Sequence, residues 1–519
     1  MKKMKKLILL LFTINCFAQA PPIEWQKSFG AANNDSSREI CQTNDLGYII
    51  VGGTNSNTGN YSSNHGGFDC LVIKTDAQGT IQWQKLFGGS ENDFGNSIKQ
   101  TSDGGYIIAG RSESNNGDLT LNRGFEDYWV LKLNSSGTIE WQKTYGGNQP
   151  DAAYSILQTS DNGYVVMGRS SSQNGDHAVN SIQGEWIIKL NSTGVIQWQR
   201  SLTSNIGVNS EKIRQTSDNS FILGYTASSP TPVVVGSVTT YYSDSFIVKL
   251  DQLGVVQFQK NYGGSYQETF QDVLQTNDLG YIVISNSKSN NLDVSGHHGT
   301  PTDTSNNGND DLWVTKVNAT GIIQWQKSLG GNYNDDAASI KQTTDGSYII
   351  FGSTNSTNGD VSGLHGSSDY WLVKLNSSGT ILWQKCYGGT NFDIANFITV
   401  NADNTYILSG LSYSTDGDIT QNFGGSDIWI VKLGQELSVD DFQQNKISLY
   451  PNPTSNKLTI QVNNEDAIDK IIVTDLTGKI ILVQTDNTNQ INTESLATGT
   501  YFIQAFSGEN KFQSTFIKE

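Results

Sequence analysis

A chain of 519 residues with 53 Gly, only 8 Pro and 16% charged residues has the composition of neither a disordered nor a helical protein. Its formal charge is −17, and beyond the first twenty residues 29 basic side chains face 50 acidic ones, a net −21. Broad attraction to nucleic acid or anionic lipid is thereby excluded. Asn, Ser and Thr fill the gaps between short apolar runs, the pattern of an all-β protein.

Residues 1–20 hold four Lys, an apolar stretch from Leu7 to Ile14 too short to cross a bilayer, and Ala18-Gln19-Ala20 before Pro21. These features predict a signal peptide cleaved after Ala20. Cys16 does not turn it into a lipoprotein signal, because Asn15 and Thr13 stand where a small residue and Leu are expected. No later segment approaches eighteen consecutive apolar residues, so no transmembrane segment is expected. Three cysteines remain, Cys41, Cys70 and Cys386, an odd number at unrelated positions, and they are read as small buried thiols.

One phrase then recurs seven times: Trp25-Gln26-Lys27, Trp83-Gln84-Lys85, Trp141-Gln142-Lys143, Trp198-Gln199-Arg200, Phe258-Gln259-Lys260, Trp325-Gln326-Lys327 and Trp383-Gln384-Lys385, at spacings of 58, 58, 57, 60, 67 and 58 residues. A second phrase, such as Asp127-Tyr128-Trp129 or Asp369-Tyr370-Trp371, recurs seven times out of phase with it, and all eleven Trp lie at these two places. Each unit contains four apolar runs of period two, here named A to D. The A–B link carries an Asp in every unit (Asp103 in the second), and the C–D link is equally short. Four short antiparallel strands per repeat match one blade of a β-propeller. The chain opens with a D run at 23–28 and its seventh unit stops after the C run, so the N-terminal strand is expected to close the last of seven four-stranded blades. Residues 21–434 resemble secreted bacterial repeat propellers with Trp-containing blades, a resemblance that brings no catalytic motif with it.

After a linker at 435–445 the text changes. Leu449-Tyr450-Pro451-Asn452-Pro453, Asp475-Leu476-Thr477-Gly478-Lys479 and Gly499-Thr500-Tyr501-Phe502-Ile503 punctuate alternating apolar runs, as in a small immunoglobulin-like β-sandwich. Residues 446–519 resemble the type A C-terminal sorting domain of the type IX secretion system. The resemblance implies the secretion machinery as partner, export through the periplasm to the outer-membrane surface or the extracellular space, and removal of the domain on the way.

For function, the tight A–B and C–D turns share one face of the disc, and the long D–A and B–C loops share the other, which is therefore the candidate binding face. The Trp, repeated at one strand position, are read as packing between blades and not as a carbohydrate platform. Six D–A loops carry an acid at equivalent positions, Asp35, Asp93, Asp151, Glu268, Asp335 and Asp393, with Val208 breaking the series. They lack the calcium-loop pattern and are read as loop caps, so neither a Ca²⁺ ion nor another cofactor is called for. No catalytic motif and no metal-ligand spacing appears. A ligand is seldom sevenfold symmetric, so a site is sought where the repeat breaks. The breaks at 227–243 and 288–310 nominate Tyr241, Tyr242, His297, His298, Asp303 and Asp310 as ligand-binding residues. The expected function is a non-catalytic surface or secreted binding protein for a glycan or protein partner; the alternative is a secreted polysaccharide hydrolase or lyase.

Overall fold

The computed structural model describes residues 19–58, 61, 63–177, 182–203, 211–230, 233–235, 238–300, 310–436, 447–462, 468–475, 479–486, 488–507 and 510–519. The leader reading at 1–20 falls almost wholly outside these residues, as do the nominated Asp303 and the substituted Val208. The described strands lie in two compact units, Ala20–Gln435 and Glu436–Glu519.

The first unit is a seven-bladed β-propeller. Blade 1 runs A to D as Asp35–Gln42, Tyr48–Thr54, Asp69–Thr75 and Ile81–Phe87, paired antiparallel in that order. Blades 2, 3, 5 and 6 repeat it closely, while blade 4 has an A strand of only four described residues, Lys212–Gln215, and an extra hairpin of Val233–Val235 with Val238–Thr240. Blade 7 is completed from the other end of the chain. Ile23–Phe29 pairs antiparallel with Asp427–Leu433, setting Ser28 opposite Trp429.

Both repeated phrases are explained by one contact. The C-strand Trp is buried, and its indole N–H donates to the Gln of the D phrase: Trp129 to Gln142 at 3.2 Å, Trp186 to Gln199 at 2.9 Å and Trp313 to Gln326 at 2.7 Å. A buried indole without an acceptor would be costly, so the two positions travel together. Across the closure, Trp429 donates to Gln26 at 2.7 Å, which ties the ends of the ring with the same bond used inside every other such blade. The D-strand Trp does a different task. Its edge meets the first residue of the next blade's B strand, as in Trp83 with Tyr106, Trp141 with Tyr164 and, over the closure, Trp25 with Tyr48, each at 5.9 Å between centroids. These are the packing wedges between blades.

The acids are structural partners of the loops. Each inner-strand acid is fully buried and accepts the backbone N–H four residues earlier, as Asp93 does from Gly89 at 2.7 Å and Asp151 from Gly147 at 2.8 Å. Each also receives B-strand or B–C loop hydroxyls, Ser114 to Asp93 at 2.8 Å and Ser172 to Asp151 at 2.7 Å. The C-strand acids cap the B–C loops in the same way, Asp127 from Arg123 at 2.8 Å and Asp369 from His365 at 2.9 Å. Between two such carboxylates lies a glycine that tolerates no side chain: a Cβ on Gly146 would sit 2.3 Å from Asp127 Oδ1 and 2.6 Å from Asp151 Oδ2. On the opposite face, the A–B turn Asp accepts both the turn N–H and a C-strand Lys, as Asp103 does from Gly105 at 2.9 Å and Lys132 at 2.9 Å. The cysteines are free, and Cys41 and Cys70 lie on the A and C strands of one blade with the B strand between them.

The second unit is a two-sheet sandwich. Ile447–Tyr450, Lys457–Val462 and Gln490–Asn492 form one sheet; Ile480–Gln484, Lys470–Thr474, Gly499–Ser507 and Asn510–Lys518 form the other. Leu458, Ile460 and Ile491 from the first sheet meet Ile471, Val473, Ile503 and Phe516 from the second in one buried core.

Two predictions follow from these contacts. Deleting residues 21–30 strips blade 7 of its outer strand and the Trp429–Gln26 bond, and should lower Tm by roughly 5 °C or more; unchanged thermal unfolding would mean that this strand does not hold the ring closed. The second concerns pH. Against the cost of partial burial, hydrogen bonds from a turn hydroxyl, the Lys and the turn N–H hold Asp103, Asp161 and Asp278 down to about 2. Burial pushes Asp127, Asp335, Asp393 and Asp427 up to about 6 and Glu268 to about 7. Between about pH 2 and 4 the turn acids bind fewer protons folded than unfolded, so stability rises with pH; between about pH 4 and 6 the loop acids bind more, so it falls again. Melting curves from pH 3 to 8 should therefore peak in mildly acid solution, and a Tm that climbs steadily to pH 7 would contradict the assignment.

Candidate functional site

Seven inner strands surround one axis, and a local irregularity decides what they present to it. Six of them carry a β-bulge at the same place, between residues 37 and 39, 95 and 97, 153 and 155, 270 and 272, 337 and 339, and 395 and 397. The extra residue has no partner on the B strand and is released from the sheet's alternation. Those residues are Arg38, Asn96, Tyr154, Gln271, Ala338 and Asn396, and the equivalent position in blade 4 is Glu211. All seven line a single cavity of about 180 Å³, together with Arg111 and Lys212. It lies nearer the D–A and B–C loop ends of the strands, because the bulge comes three residues after the strand start. The cavity is thus lined by inner-strand residues and Arg111 of a B strand, and by none of the loop residues nominated from the sequence.

The chemistry of the cavity is polar and asymmetric. Arg38 is held below its ordinary range by burial and by the neighbouring Arg111, whose guanidinium lies over the Phe94 ring at 4.8 Å and 3.5 Å from Glu126. Glu211 is buried, and one of its carboxyl oxygens has no hydrogen-bond partner among the described residues; burial pushes its carboxyl well above the usual carboxylate range, with Arg169 and Lys212 acting against that shift. Asn96 and Asn396 tie their amides to the neighbouring inner strand, donating to Ala153 and Ser37 carbonyls at 2.8 Å.

Deeper along the axis, toward the turn face, the ring of Phe397 from blade 7 is met by three ammonium groups: Lys341 of blade 6 at 4.2 Å from its centroid, Lys212 of blade 4 at 5.7 Å and Lys99 of blade 2 at 5.8 Å. Side chains from blades 2, 4, 6 and 7 can meet one ring only on the axis itself. Two buried carboxylates stand among them. Glu39 pairs with Lys99 and also accepts from Ser97 Oγ at 2.6 Å and Ile98 N at 2.9 Å. Asp272 is gripped by Arg214 through both carboxylate oxygens at 2.7 Å.

The residues nominated from the sequence lie apart from this cavity. His297 and His298 converge on Asp311, with Nδ1 of each 3.4 Å and 2.8 Å from its carboxylate, and His298 Nε2 is 3.7 Å from Asp360. Asp310 faces Lys288 at 3.9 Å. In blade 4, Tyr241 is exposed and Tyr242 packs edge-on to Tyr266 at 5.8 Å. His65 and His365 hold Asp69 and Asp369 in the same way as His298 holds Asp311, at 2.7 and 2.6 Å, so this arrangement belongs to the repeat.

The axial residues were not singled out from the sequence, although a signal for them is present. Aligned on the inner-strand acid, the third, fourth and sixth positions after it vary from blade to blade, whereas the fifth is Ile in six units and Val273 in the other. The fifth position, apolar in every unit, packs inside the blade, while the third, fourth and sixth are free of that demand; the first position after the acid varies too, from Ser36 to Ile394.

A family model described as the secretion system C-terminal sorting domain matches residues 448–519. A search of curated proteins finds no match. Among solved structures, the chain is similar to the WD40 domain of Neurospora crassa Pan2, with 11% identity, 76% of this chain and 88% of that chain covered and a TM-score of 0.38. It is also similar to a Bacteroides vulgatus member of the DUF4221 family, with 9% identity, 79% and 97% covered and a TM-score of 0.35, and to BBS1N in complex with ARL6DN, with 9% identity, 80% and 97% covered and a TM-score of 0.41. The chain is a seven-bladed β-propeller followed by a secretion system C-terminal sorting domain.

Proposed function

We propose that this protein is a secreted, non-catalytic binding protein that captures a small polar ligand, such as the end of a glycan, in its axial cavity. One observation carries the reading: the strand position that the bulge releases toward the axis holds six different residue types in seven blades, and all seven of these side chains line one polar cavity. Packing asks every blade for the same residue, whereas an asymmetric ligand asks each for a different one. Donors from Arg38, Asn96 and Gln271, the Tyr154 ring and the Glu211 carboxyl suit hydroxyl-rich chemistry. The loops bearing Tyr241, Tyr242, His297, His298 and Asp310 serve in this reading as a rim that selects what reaches the cavity. The alternative of a polysaccharide hydrolase or lyase is favoured by one feature only, the buried Glu211 carboxyl, whose proton affinity is raised by burial as a general acid requires.

A glycan array and a hydrolysis screen on the purified chain address both readings. Binding without turnover is expected, with the double variant Arg38→Ala, Tyr154→Ala losing at least tenfold in affinity, whereas exchanging residues 229–242 and 288–310 for the short B–C loop of blade 2 should alter the range of ligands bound. Undiminished affinity in a folded double variant would move the site off the axis, and turnover abolished by Glu211→Gln would replace binding with catalysis.

The sorting domain implies recognition by the type IX machinery and export to the cell surface or beyond. In the proposed maturation the tail is cut between residues 434 and 446 and residues 1–20 are removed. Mass spectrometry of the surface and culture fractions should find both ends missing; intact Glu519 on the exported protein would contradict this processing.

A further inference from the structure

The charge around the Phe397 ring does not balance. Four cations, Lys99, Lys212, Arg214 and Lys341, come together with two carboxylates, Glu39 and Asp272, and each carboxylate is already engaged by one of them. Lys212 and Lys341 have no carboxylate within ion-pairing distance among the described residues. Among the described residues Lys341 donates to Ser339 Oγ and the Ile340 carbonyl, both at 3.4 Å, besides meeting the Phe397 ring, and Lys212 meets that ring with no ion pair. A cation over an aromatic face recovers only a small part of the hydration it gives up. Two ammonium groups are thus held near one ring, in a protein whose net charge is −17. Elsewhere in the same fold the Lys that points inward from the C strand is given a turn Asp, as Lys132, Lys189 and Lys316 are. On the axis, Lys212 and Lys341 are given no such acid among the described residues, although Lys99 is.

We propose that the axial channel binds a doubly charged tetrahedral oxyanion, of phosphate or sulfate type, between Lys212 and Lys341 over the Phe397 ring. The inference rests on the reading of the cavity above as a ligand site and names the class of its ligand: a polar molecule whose neutral part meets Arg38, Asn96 and Tyr154 and whose ester anion reaches the lysines. Lys212 lines the cavity itself, which makes the two levels continuous. The cavity's volume of about 180 Å³ would hold about six waters, which suits one oxyanion with part of its hydration and not a polyanionic chain. Acid groups over the rest of the surface repel polyanions, so the cations select a small anion that can enter the channel.

Burial, followed by Arg214, lowers Lys341 to about 7, with Lys99 acting in the same direction and Asp272 and Glu39 against it. Lys212 is lowered by burial too, while Glu39 and Asp272 act against that shift; Cys41, facing the same space from blade 1, is pushed up to about 11 and stays a neutral thiol. An arriving dianion raises Lys341 again, so at pH 7.5 binding takes up a proton, and at pH 5.5, where the ammonium is already formed, it does not.

Calorimetry on the full chain tests this with inorganic sulfate and inorganic phosphate as probes, and with chloride and acetate at equal ionic strength as controls. One-to-one binding of the divalent probes is expected, weakened at least tenfold by Lys212→Met or Lys341→Met. Both variants remove like-charge repulsion and should melt no lower than the parent in the absence of anion, so loss of binding cannot be put down to unfolding. Sulfated and phosphorylated monosaccharides then separate the two sources, and a tenfold preference names the ester. Equal affinity in the variants, no binding of either divalent probe, or no proton uptake at pH 7.5 would each overturn the assignment. Capture of a neutral glycan that requires Arg38 and Tyr154 while sulfate is ignored would sink the anion and leave the cavity reading standing.

Discussion

The antiparallel pairing of Ile23–Phe29 with Asp427–Leu433 is the contact on which the molecule's geometry depends. Seven like sheets stacked in a row would leave two bare faces, each needing a cap. Joined end to end they need none, and every blade interface becomes the same interface, with a D-strand aromatic wedged against the next B strand. The bond from Trp429 to Gln26 carries this sameness across the join. Closure also creates something no single blade possesses, an axis at which seven inner strands face one another.

The repeat and the axis are under opposite demands. Packing positions converge on one solution, because each blade meets the same neighbour: buried Trp with its Gln, loop-capping acid with its backbone N–H groups, turn Asp with its Lys. Positions aimed at the axis meet no such neighbour. There Arg, Asn, Tyr, Glu, Gln and Ala follow one another around the ring, and deeper down Lys, Arg and Phe replace the Ser, Leu and Thr of other blades. The bulge is the device that separates the two sets, since it releases one residue per strand from the alternation that packing imposes.

Much of this architecture was legible in the sequence because period-two runs, tight turns and an unmatched strand at each end are direct consequences of backbone hydrogen bonding. The number of blades, their four strands and the closure follow from those alone, and the tail motifs led to the sorting domain. The coupling of Trp129 to Gln142 or Lys132 to Asp103 was not legible, because each pair sits on different strands and only register brings it together. The axial cavity was not singled out for a related reason. Long loops advertise departures from the repeat, and they led to Tyr241 and His297, whereas single substitutions such as Phe397 or Lys341 within regular strands look like noise until the ring is closed and they are seen to meet.

Two axial lysines, Lys212 and Lys341, come from blades far apart in sequence, have no ion-pair partner among the described residues and are proposed to hold an anion. Crystals of the full chain grown with sodium selenate would test it most directly, because the selenium atom scatters anomalously. The account predicts an anomalous peak on the propeller axis, within hydrogen-bonding reach of Lys212 and Lys341 and beside the Phe397 ring; an axis holding only ordered water, with both lysines turned toward other partners, would contradict it.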